Sequence, residues 1–71
     1  MSQDQKGNAY HEIEIPGGHV RVTLIQDGWA GSPSVRIQIR DESGHLRQGP
    51  EVPLSAIGGV IGAVVELVVE G

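Results

Sequence analysis

Ser55-Ala56-Ile57-Gly58-Gly59-Val60-Ile61-Gly62-Ala63-Val64-Val65-Glu66-Leu67-Val68-Val69-Glu70 is the stretch whose reading decides the fold. It is almost wholly apolar and runs for about 15 residues, longer than the five or six of an ordinary strand, which favours a helix. Ser55 is a good N-cap. The β-branched residues and Gly58, Gly59 and Gly62 pull the other way, each glycine costing up to about 1 kcal/mol relative to alanine in a helix. Glu66 and Glu70 are the only charges after Glu51, four residues apart on one helical face. A helix that covers one sheet needs a single apolar stripe, whereas this segment is apolar nearly all round. It therefore calls for two apolar neighbours: its own sheet and, most simply, the same helix of a second subunit in a two-fold homodimer. The expected interface is Ile57, Gly58, Ile61, Gly62, Val65 and Val68. Gly58 and Gly62 leave a groove for another backbone, or else let the helix sit low on its own sheet.

Upstream, the pattern changes to two-residue alternation, the mark of strands. Tyr10–Ile15 sets Ile13 and Ile15 against Glu12 and Glu14, and Pro16-Gly17-Gly18 ends the segment. His19–Gln26 sets Val20, Val22 and Leu24 against His19, Arg21, Thr23 and Ile25. Asp27–Pro33 reads as a loop of turn formers. Ser34–Arg40 sets Val35, Ile37 and Ile39 inward and Arg36, Gln38 and Arg40 outward. Asp41-Glu42-Ser43-Gly44 is a polar turn, and Glu51–Leu54 suits a short fourth strand that Pro50 and Pro53 confine to an edge or a strand end. The expected fold class is α+β: a curved antiparallel sheet of three or four strands and one C-terminal helix. Residues 1–9 read as a flexible tail and residues 10–71 as the single domain.

The chain has 71 residues, a formal charge of −4, no cysteine, no Phe, one Trp and one Tyr. Cysteine-based metal sites, disulfides and thiol nucleophiles are thereby excluded. No apolar run reaches the about 18 residues of a membrane span, and Met1–Asn8 lacks the apolar core of a secretory signal. A cytoplasmic location is the expectation. So small a chain buries only about 60% of its unfolded surface, and without aromatic bulk its core must come from Val, Ile, Leu and Ala. Both points favour self-association.

With the helix on one face, the other face should be polar and display His19, Arg21, Thr23, Arg36, Gln38 and Arg40, with Arg47 nearby. Arginine offers a planar fork of donors suited to phosphate, and Trp29 in its loop offers a stacking platform for a base. Set against this, Glu12 and Glu14 share that face and can pair with Arg21, and the net charge is acidic. His11, His19 and His45 lack metal spacing, and no Ser, His and acid fall at recognisable triad spacing. Neither Gly17-Gly18 nor Gly58-Gly59 belongs to a phosphate loop. The expectation is a protein without catalytic residues, metal or cofactor, not an enzyme.

Val35-Arg36-Ile37-Gln38-Ile39-Arg40, a polar loop, and then Gly49-Pro50-Glu51-Val52-Pro53-Leu54-Ser55 leading into a helix resemble the PC4-like, and more distantly the Whirly-like, single-strand-binding fold. Arg40, Gly49, Leu54 and Ser55 match its pattern, whereas Pro50-Glu51 stand where that pattern carries Lys-Gly. The resemblance spans residues 34–70. It implies a homodimer with a grooved sheet surface, in which Arg21, Arg36, Arg40 and Arg47 contact phosphates and Trp29 stacks on a base. The leading expectation is a small single-strand nucleic-acid-binding module, its sites Arg21, Arg36, Gln38, Arg40, Arg47 and Trp29. The alternative is a protein-interaction or structural adaptor that binds no nucleic acid.

Overall fold

The computed structural model describes residues 2–71. Six strands form one open antiparallel sheet: β1 (Ser2–Gln3), β2 (Ala9–Ile15), β3 (Gly18–Trp29), β4 (Ser32–Arg40), β5 (Leu46–Arg47) and β6 (Glu51–Pro53). One helix, α1 (Leu54–Glu70), follows. The α+β class, antiparallel pairing and single C-terminal helix are those read from the sequence. β6 is the short fourth strand, and β1 and β5 are additional. The order is β1-β2-β3-β4-β5, and β6 also pairs with β4, alongside its Ser34–Arg36 stretch.

Three local expectations are corrected. In place of a flexible tail over residues 1–9, Ser2–Gln3 pair with Ala9 and Tyr10. The intervening turn is tied by Asp4, whose Oδ1 accepts from the Lys6 and Asn8 amides at 2.9 Å each. Met1, the rest of that expected tail, lies outside the described residues. The expected loop 27–33 is a continuation of the β3–β4 hairpin, closed by Ala30 (φ 51) and Gly31 (φ 80). Positive φ at both central positions gives the turn a twist that matches its strands. β3 bulges between Ile25 and Trp29, where β4 contributes Pro33, which has no N–H to pair. Finally, α1 begins at Leu54 with Pro53 at its N-cap and no side-chain cap bond, so Ser55 lies inside the helix rather than capping it.

Register sorts the side chains onto two faces, since directly paired residues point the same way. One face carries Ile13, Val20 and Ile39 in a row, then His11, Val22 and Ile37, then Leu24, Val35 and Val52. The other carries Glu12, Arg21 and Gln38, then Glu14, His19 and Arg40, then Tyr10, Thr23, Arg36 and Glu51.

The largest difference from expectation concerns the helix. It does not cover the apolar face: no residue of α1 is buried, and its tertiary contacts are with β4 and β6 only. Ile61 is 57% exposed, Leu67 74% and Val68 77%, while Ile13 and Ile39 on the sheet are about half exposed. Val35 is the one buried hydrophobic residue among those described. The radius of gyration is 13.2 Å, against about 11 Å expected for a compact chain of this length. The physical reason lies in the connection. β6 leaves the sheet at the Ser34 end of β4, so the helix starts beside that end of the sheet, and its contacts are confined to β4 and β6.

Candidate functional site

The strand alternation places His19, Arg21, Thr23, Arg36, Gln38 and Arg40 on one face, as the sequence indicated. Arg47 is separated from them. It pairs with Ile39 in register, on the apolar side, and its Nε lies 3.4 Å from Asp41 Oδ2. Trp29 stands at the far end of the hairpin opposite Ser32 and is half exposed.

Each arginine of the polar face is already engaged by a carboxylate. Arg21 donates through Nε (2.8 Å) and Nη2 to Glu12 Oε2, directly across the β2–β3 pair. Arg40 Nη2 reaches the same oxygen at 3.5 Å, and its Nη1 donates to the Gly44 carbonyl at 2.9 Å. Arg36 donates to Glu51 Oε1 from Nη2 (3.0 Å) and Nε (3.3 Å). The second oxygen of Glu51 accepts from the hydroxyl of Ser34, fully buried, at 2.9 Å. Lys6, the remaining cation, makes no ion pair among the described residues.

These bonds stabilise the charged forms of the acids. The Arg21 hydrogen bond holds Glu12 below the usual carboxylate range, with Arg40 adding to it. Bonds from Ser34 and then Arg36 do the same for Glu51. Asp41 is lowered chiefly by the Ser43 hydroxyl, and Asp4 by the Asn8 amide.

Tight packing reinforces the Glu51 cluster. A Cβ on Gly28 would stand 1.9 Å from Ser34 Oγ and 2.8 Å from Glu51 Oε2, so only glycine fits where the β3 bulge closes over the pair. Beside it lies a shallow groove of about 510 Å³, lined by Lys6, Asn8, Tyr10, Arg21 and Arg36 among others. The Arg21 guanidinium sits 4.1 Å from the Tyr10 ring centroid, a cation–π contact. Sequence reasoning missed Tyr10, Lys6 and Glu51 as members of this surface. The alternation already put Tyr10 on the face of Glu12, but the β1–β2 turn and the β6 pairing had no comparably clear pattern.

The other candidate surface is the helix. The expected interface residues Ile57, Gly58, Ile61, Gly62, Val65 and Val68 all lie on α1. A Cβ added at Gly58, Gly59 or Gly62 meets nothing within 4 Å. The glycines therefore do not serve to let the helix sit low on its own sheet. The exposed apolar surface also extends beyond that stripe, to Val60 and Val64.

No group of three or more His, Asp or Glu residues among those described could hold a metal ion, and no helix is long and apolar enough to cross a membrane. Comparison with protein families, with curated proteins and with solved structures finds no match to this chain in any of the three.

Proposed function

We propose that this chain is a homodimeric protein-interaction module: two copies join through their apolar surfaces and leave the polar sheet face and the Trp29 hairpin free for a protein partner. The observation that carries this reading is the pairing of every polar-face arginine with a carboxylate. Phosphate binding draws its affinity from cations whose counterions are released, and a guanidinium already bound to Glu12 or Glu51 has little to offer. A charge-balanced face with an aromatic anchor at a hairpin tip suits a protein surface better. Light scattering on the purified chain tests the assembly: a mass of about 15 kDa is expected for a dimer of 7.5 kDa chains, and a monodisperse 7.5 kDa species overturns it.

A second reading has one observation in its favour. The groove joins Lys6 to Tyr10, Arg21 and Arg36, which combines cations with a stacking ring as single-strand binders do. In that reading the dimer is a single-strand nucleic-acid-binding module of the PC4-like kind. It requires salt-dependent binding of a labelled oligonucleotide at about 50 mM salt, lost on Arg36→Ala with Arg40→Ala. The protein-interaction reading requires none.

A further inference from the structure

We infer that the apolar sheet face marked by Ile13 and Ile39 is covered by helix α1 of a second copy, so that two chains share one hydrophobic core. This rests on the homodimer reading above and says which surfaces meet: the helix does not simply pair with its twin along one stripe.

The area requires more than a narrow seam. The chain exposes 5212 Å², about 1,000 Å² more than a folded monomer of this mass is expected to show. A standard interface takes roughly 800 Å² from each partner. The excess is thus about one partner's share of a stable dimer. It lies in two places, on a helix that contacts only β4 and β6 and on the part of the apolar sheet face where Ile13 and Ile39 stand about half exposed.

A second copy supplies what each place lacks. A 17-residue helix is about 25 Å long, close to the length of the strands that make up the face. Every copy carries both a helix with no buried residue and a sheet face left half exposed at Ile13 and Ile39. One two-fold axis satisfies both at once and closes the assembly, whereas an unrelated partner would have to supply both surfaces. The empty space beside Gly58, Gly59 and Gly62 is where the partner's main chain can come close.

The test uses the full chain. Sedimentation equilibrium is run on the wild type, on Ile39→Glu (sheet), on Ile61→Glu (helix) and on Gln38→Glu, a control on the polar face. Ile39→Glu and Ile61→Glu are each expected to weaken association by roughly 30-fold or more, the size of a hot-spot loss, with Gln38→Glu near wild type. A wild-type dimer that dissociates with Ile61→Glu but not with Ile39→Glu overturns the shared core and leaves the homodimer standing. A monomeric wild type overturns both. Should Ile39→Glu fail to fold, a dimer mixed from isotope-labelled and unlabelled wild-type chains decides the matter. Intermolecular NOEs from the Ile13 and Ile39 methyls to α1 are expected, and their absence in a folded dimer overturns the inference.

Discussion

On one side of the sheet, Glu12 binds two arginines and Glu51 binds Arg36 and Ser34; on the other, Ile13 and Ile39 stand about half exposed beneath nothing. The same three central strands, β2, β3 and β4, supply both sides. The polar side can be satisfied within one chain because its partners are near neighbours across strand pairs, such as Glu12 and Arg21. The apolar side is not, because hydrophobic burial needs a second layer and the helix α1 contacts just β4 and β6. A small chain thus completes its electrostatics locally and leaves much of its apolar surface uncovered.

That contrast breaks most visibly at the helix. Val65→Asp is expected to abolish association and to lower the melting temperature steeply, read by light scattering and by circular dichroism on heating. Unchanged mass and melting would mean that the exposed stripe of α1 covers nothing. Next in size is Gly28→Ala, which drives a methyl into Ser34 Oγ and the Glu51 carboxylate and should cost about 2 kcal/mol in urea unfolding. Its effect sharpens the comparison, because the damage would fall on the polar side and leave the apolar side untouched.

Helix glycine offers a smaller effect whose sign is informative. In an unpartnered helix Gly62→Ala should stabilise by up to about 1 kcal/mol. With a partner backbone against it, the same change weakens the dimer, and that is the outcome expected from dilution experiments. A more stable protein of unchanged mass would show that no backbone approaches there.

Acid should act through the polar side. Glu12 and Glu51 have folded-state pKa values below the ordinary carboxylate value of 4.5, so the stability they add is present above that value and lost as pH falls through their lowered pKa values. Melting temperatures from pH 7 down to about pH 3 should fall less for Glu12→Gln with Glu51→Gln than for wild type, once each is referred to its own value at pH 7. Equal slopes would mean that these ion pairs do not support the fold. The smallest effect is expected from Arg47→Ala. Its pair with Asp41 leaves the arginine side chain 67% exposed, and urea unfolding should barely move.

The alternation of Val20, Val22 and Leu24 with Arg21 and Thr23 made the strands legible, because a two-residue period needs only the local chain. The six residues from His19 to Arg40 share a face for the same reason. Trp29 was harder to place. Asp27-Gly28-Trp29-Ala30-Gly31 carries turn formers throughout, yet only Ala30 and Gly31 turn, and the rest form a bulged strand opposite Pro33. Glu51 was equally hidden, since its role at Ser34 and Arg36 depends on the β4–β6 pairing of residues 17 and 15 positions apart in the chain.

Sequence by itself determined the class, the two-faced strands, the C-terminal helix and the excess of apolar surface, because each follows from periodicity and composition. Only the tertiary structure decided that Arg21, Arg36 and Arg40 are held by carboxylates, that Arg47 lies on the opposite side from them, and that α1 leaves the sheet face open. Those outcomes depend on register and on the corner from which the helix departs, and both are set by pairings between residues far apart in the chain.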